Sequence, residues 1–227
     1  MIYIGVETDM TKKQYFQYGK EEKEHLIARD HRLGQAIESI GLIKRVVNPD
    51  LYSALVNSIV GQQISSKAQA TIWQRMQERF VPFSPETLEA VSVGELQSCG
   101  ISMRKAIYIQ AMTAAALSGQ LNLQTLHDMS DEDVCAELTK LRGIGTWTAE
   151  MMLIFSLQRP DIVSYGDLAI QRGMRMLYRH REITPELFKK YRRRYSPYGT
   201  VASLYLWAIA GGAKPELTDP QPKIKKR

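Results

Sequence analysis

Apolar positions along the chain recur with helical spacing. Tyr52, Leu55, Val56, Ile59 and Val60 form the i, i+3, i+4, i+7, i+8 stripe of an amphipathic helix, and Tyr108, Met112 and Ala115 continue the theme further on. Period-two alternation is confined to the first few residues. Helix starts are marked by polar caps: Ser92 with Glu95 and Ser130 with Asp133 have the capping-box spacing, and Ser84-Pro85 and Thr184-Pro185 place proline at a first helical position. Joints carry glycine or proline at Gly41, Pro49, Gly100, Gly119, Gly143 and Gly145. Helices are predicted over 130–140, 146–157 and 196–209, and the stretch 15–40 also reads as helical. With about ten or more short helices, the pattern predicts an all-α protein with no internal repeat.

Composition narrows the class. A chain of 227 residues, 44% of them apolar, has enough material for one globular unit or two packed lobes. The net charge of +6 suits a polyanionic partner without selecting one. Cys99 and Cys135 lie too far apart for a metal-binding CxxC or a disulfide framework, which fits reduced thiols and an intracellular location. The longest uncharged stretch, 201–213, falls short of the ~20 residues that span a bilayer, so no membrane partner is expected. Nothing points to an oligomer, and a monomer is expected.

The candidate chemistry lies in two segments. Leu141-Arg-Gly-Ile-Gly-Thr-Trp-Thr148 separates two predicted helices. Gly143 and Gly145 permit positive φ and close backbone approach, while Ile144 packs inward and pins the turn. Amides left unpaired at the following helix N-terminus, with the helix dipole behind them, suit an anion such as a DNA phosphate. An ordinary helix–helix turn is the plainer reading. Asp167 precedes another helical stretch, where aspartate is a favoured N-cap.

Taken together, Leu141–Ala149 and the upstream string Leu55-Val-Asn-Ser-Ile-Val-Gly-Gln-Gln-Ile-Ser65 resemble the helix-hairpin-helix (HhH-GPD) DNA glycosylase superfamily that shares this element with endonuclease III. The resemblance covers roughly residues 45–212. It implies a two-lobed all-α fold with the active site between lobes. Residues 1–48 are expected to pack with the C-terminal lobe. The central lobe is expected over 49–145, the lobe carrying the catalytic aspartate over 146–212, and a basic tail over 213–227. Longer relatives carry an extra N-terminal β domain, expected here to be absent or reduced to a remnant.

The resemblance also implies residue roles. Asp167 matches the catalytic aspartate. Trp147 stands where strand-cleaving relatives have a Schiff-base lysine, so hydrolysis of the base without strand cleavage is expected. Four closely spaced cysteines are missing, so no iron–sulfur cluster is expected. These features look like the AlkA-type 3-methyladenine DNA glycosylases, which remove alkylated purines such as 3-methyladenine and 7-methylguanine from duplex DNA. A glycosylase for oxidised or deaminated bases, or a non-catalytic DNA-binding module, are the alternatives.

A cationic purine calls for an electron-rich pocket. Trp147 and Trp207 are candidates, with Tyr165 a third, although Trp207 equally suits core packing. Leu168 departs from the tyrosine that often follows the family's aspartate. The turn 61–65 matches the wedge that fills the gap left by a flipped base. Gln62, Gln63 and Ile64 are the DNA-contacting residues there, as are Gly143, Gly145 and Thr146 in the hairpin. In relatives, hairpin carbonyls hold a monovalent cation, and the matching positions are Thr139, Leu141 and Ile144. Other candidate phosphate contacts are Ser65, Ser66, Lys67, Arg104 and Lys105. The cluster Lys189, Lys190, Arg192, Arg193 and Arg194 reads as a solvated face. Lys223, Lys225, Lys226 and Arg227 read as a tail with weak affinity for DNA.

Overall fold

The computed structural model describes residues 13–220, so the apolar start 1–6 and the tail cations at 223–227 lie outside the described residues. Strand β1 (Gln14–Tyr15) pairs antiparallel with β2 (Val46–Val47), and among the described residues these are the only strands. All other regular structure is helical. Between the strands lie α1 (Lys20–Arg29) and α2 (His31–Ile40). After β2 come α3 (Leu51–Gly61), α4 (Ser66–Arg79), α5 (Pro85–Glu89), α6 (Val93–Ser98) and α7 (Met103–Leu117). The chain finishes with α8 (Asp131–Thr139), α9 (Thr146–Phe155), α10 (Leu168–Tyr178), α11 (Pro185–Tyr195) and α12 (Gly199–Ala210).

Caps account for many of these starts. Ser92 and Glu95 form a full capping box on α6, and Ser130 accepts from the Asp133 N–H at the start of α8. Proline occupies the first turn of α5 and α11, behind Ser84 and Thr184. Helix α12 begins at Gly199, three residues later than predicted, with the Gly199 N–H donated to the Asp161 carboxylate at 2.9 Å.

Two apolar clusters define two lobes. The first gathers residues of α3 through α9, with Leu55, Val56, Ile59, Leu96, Ile109, Val134 and Leu138 inaccessible or nearly so. The second joins Leu26, Leu33 and Ile37 near the start of the chain to α10, α11 and α12. Residues 15–40 thus close back on the C-terminal helices. The expected division at 145–146 differs from the packing. Ala149, Leu153 and Ile154 of α9 bury into the first cluster, and the change-over comes near Ile162 and Val163. Helix α9 is apolar around most of its circumference, with Glu150 its one charged residue, so its pattern gives no sign of which lobe it joins.

Helix α10 buries Ile170, Met174, Leu177 and Tyr178 on one face, directly against α12. The approach depends on Gly173. A Cβ there would lie 2.2 Å from the Leu206 carbonyl oxygen, so any side chain forces the helices apart. This close contact fixes the N-terminus of α10, and with it Asp167, relative to Trp207 on α12.

Candidate active site

The hairpin joins α8 to α9. Gly143 has φ of 89°, and a Cβ on it would come within 2.5 Å of the Tyr108 ring, so glycine is required twice over. Ile144 is 5% exposed, and its N–H donates to the Leu141 carbonyl at 3.1 Å. Gly145 is different. It has φ of −97° and open space around it, so the expected positive φ is confined to Gly143. As the N-cap of α9 it brings no side chain to the first-turn amides, which are left for an outside acceptor.

Asp167 caps α10 and is 6% exposed. Its Oδ1 accepts the N–H groups of Ala169 (2.8 Å) and Ile170 (2.9 Å). The indole Nε1 of Trp147 donates to Oδ2 at 2.8 Å. One oxygen is thus committed to the helix, and the other keeps a lone pair toward the cleft that Asp167 lines. The N-terminus of α10 turns its partial positive charge toward that carboxylate.

The cleft encloses about 1160 Å³. Trp147, Met151 and Phe155 of α9 line it at i, i+4 and i+8, on one helix face. Trp207 of α12 lies on Phe155, with centroids 5.6 Å apart and an interplanar angle of 30°. Trp207 therefore combines the two roles weighed for it, packing on one side and lining the cleft on the other. Phe155 was missed by sequence reasoning, although its position eight residues after Trp147 placed it on the same face. Tyr165 does not join the cleft. Its hydroxyl donates to the Ile183 carbonyl at 3.3 Å and its ring packs edge-on against Phe188, because the turn before α10 points it toward α11.

The turn after α3 is held in place from two sides. Lys105 donates to the carbonyls of Val60 (2.9 Å) and Gln62 (2.7 Å), so it closes the end of α3 instead of facing solvent. Burial lowers its amine from the usual lysine range. The Gln62 side chain reaches across to donate to the Gly143 carbonyl at 2.7 Å. Gln63 has φ of 57°, uncommon for a residue with a side chain, and lines the cleft. Ile64 is exposed beside it, and Thr146 is exposed on the hairpin. Ser65 is spent as the N-cap of α4, accepting from Ala68.

Several charged candidates are structural. Asp161, six residues before Asp167 in the chain, accepts from the Ser196 hydroxyl (2.7 Å) and from the Gly199 N–H (2.9 Å), and pairs with Arg192 (3.6 Å). Arg194 pairs with buried Asp30 at 2.9 Å. Two cations of the α11 cluster therefore tie elements together. Glu150, half-buried behind the cleft, accepts from the Ser164 hydroxyl. Burial pushes its carboxyl up, the hydrogen bond from Ser164 opposes this, and the charge of Asp167 adds to the rise.

A hairpin whose amides are open, a capped aspartate and an aromatic wall between two helical lobes together define the helix-hairpin-helix class of base-excision proteins. The chain belongs to the HhH-GPD superfamily of base excision DNA repair proteins, whose family model matches residues 56–197. The chain is 30% identical over 193 residues to DNA-3-methyladenine glycosylase 1 of Schizosaccharomyces pombe, covering 81% of this chain and 84% of that protein. A crystal structure of a DNA-3-methyladenine glycosidase from Bacillus halodurans superposes with a TM-score of 0.81 at 38% identity, covering 90% of this chain and 95% of that one. The Schizosaccharomyces pombe 3-methyladenine DNA glycosylase in complex with abasic DNA gives a TM-score of 0.72 at 28% identity, covering 83% and 96%.

Proposed function

We propose that this protein is a monofunctional DNA glycosylase that hydrolyses the N-glycosidic bond of alkylated purines, 3-methyladenine and 7-methylguanine, in duplex DNA. The observation that carries the reading is the Asp167 carboxylate at the cleft wall, one oxygen tied to α10 and the other held by Trp147 opposite Phe155 and Trp207. Breaking the bond develops positive charge on the sugar. Asp167 stabilises that charge and orients or deprotonates the attacking water. The aromatic wall takes the extruded base, and its electron-rich faces suit a purine carrying positive charge. Trp147 offers no amine for a Schiff base, so the product is an abasic site in an unbroken strand.

On the same reading, the open amides at Gly145 and Thr146 hold a phosphate, and Gln63 and Ile64 enter the duplex where the base has left. The carbonyls of Thr139, Leu141 and Ile144 are compatible with a monovalent cation. The Leu141 carbonyl accepts the Ile144 N–H and keeps a second lone pair. Those carbonyls would hold the ion, and its positive charge would attract a phosphate. The protein acts as a monomer and uses no redox cofactor.

The test is release of free base from methylated duplex DNA. Wild type is expected to liberate 3-methyladenine or 7-methylguanine and leave alkali-sensitive sites without nicking the strand. No release by wild type, or full release by Asp167→Asn, overturns the proposal.

A further inference from the structure

Arg45 precedes β2, and its side chain lines the same cleft. Its guanidinium carbon lies 4.9 Å from the Phe155 ring centroid and 6.0 Å from that of Trp207. Among the described residues no carboxylate lies within ion-pair distance of it. The backbone that carries it is anchored to the wall it covers. The Arg45 carbonyl accepts from Phe16 at 2.8 Å, and three residues on, the Asn48 N–H donates to the Phe155 carbonyl at 2.8 Å. The residue that places the guanidinium and the residue whose ring receives it therefore move together.

We propose that Arg45 tempers the preference of this aromatic wall for cationic bases, weakening the stacking of a base with a fixed positive charge relative to a neutral purine, so that neutral purines are accepted beside the cationic ones. This rests on the reading of base excision above. A planar cation already lies over the Phe155 ring, part of the aromatic wall proposed to receive the extruded base. An incoming base must take that face from the guanidinium or stack beside it. A neutral purine meets a donor-rich plane that can hydrogen-bond its acceptor edges. A purine with a permanent positive charge meets like charge at short range. Discrimination follows from charge, not from space, because the cleft extends well beyond the area the guanidinium covers.

The test compares wild type, Arg45→Gln and Arg45→Lys on duplexes carrying either 7-methylguanine, which is cationic, or hypoxanthine, which is neutral. Arg45→Gln is expected to raise the ratio of single-turnover excision rates, cationic over neutral, by roughly tenfold. Arg45→Lys should stay within about threefold of wild type, since it keeps the charge. A second arm is independent of catalysis. Quenching of tryptophan fluorescence by 7-methylguanosine, kept cationic below neutral pH, and by inosine reads occupancy of the wall directly. Arg45→Gln should strengthen the first and leave the second nearly unchanged.

An equal gain for both bases would make Arg45 a steric plug and overturn the proposal. So would an equal loss with a reduced salt dependence of DNA binding, which marks a phosphate contact. If wild type excises neither base, the glycosylase reading falls, while the fluorescence ratio still decides the role of Arg45.

Discussion

The indole N–H of Trp147 donates to Oδ2 of Asp167 at 2.8 Å, across the junction between α9 and α10. The first residue of one helix to face the cleft thereby holds the carboxylate that caps another. Replacing Trp147 by Phe keeps much of the aromatic face but removes the donor. A hydrogen bond to a charged group is worth about 1.5–3 kcal/mol, so base release is expected to slow roughly ten- to hundredfold. Single-turnover assays at saturating enzyme check this, and an unchanged rate would show the bond to be incidental.

Asp167 serves both as helix cap and as the proposed catalytic group, and substitution can separate the two. Asparagine also caps well, so Asp167→Asn should unfold within a few degrees of wild type while base release falls by about a hundredfold or more. Alanine loses the cap as well, at a cost of about 1 kcal/mol. Thermal unfolding of the two variants, run beside the excision assay, distinguishes them.

The Gln62–Gly143 hydrogen bond links the turn after α3 to the hairpin. Gln62→Ala removes it and leaves both main chains otherwise intact. The free protein should lose about 1 kcal/mol, and affinity for duplex DNA should drop several-fold because the two proposed contacts are no longer held in register. Equal affinity of the two proteins in a titration would count against a shared role.

Glu150 gives a pH signature. Its carboxyl is raised above the ordinary value of 4.5 by burial first, so the folded protein holds that proton more tightly than the unfolded chain. Stability is therefore lost as pH rises from 4.5 through the folded value, and the loss is complete above it. Glu150→Gln lacks this titration. Its melting temperature minus that of wild type should increase with pH across the window and then level off. A difference independent of pH would remove Glu150 as the source.

The helices were legible in sequence because each carries its own periodic stripe and its own cap, as α3 and α6 do. Trp147 and Asp167 were legible because a short motif and its spacing reached both. What escaped depends on how segments far apart in the chain meet. Nothing near Tyr165 signals that its hydroxyl turns toward Ile183, since one residue of turn geometry decides it. The largely apolar α9 gave no face by which to assign its lobe. Gly145 looked equivalent to Gly143, yet only Gly143 meets the Tyr108 ring. Arg45 sits in a polar stretch with no motif, and its position follows from backbone bonds to Phe16 and Phe155 that no local pattern records.

Lys105 and Gln62 together bind the turn at 61–64 to α7 on one side and to the hairpin on the other. On the proposed function, the element that probes a base pair and the element that grips the backbone behave as a single lever. Such a protein does not test a duplex with a loose finger while its body stays clamped. On that function, seating the turn in a yielding pair and seating the hairpin on the strand pass through the same connection.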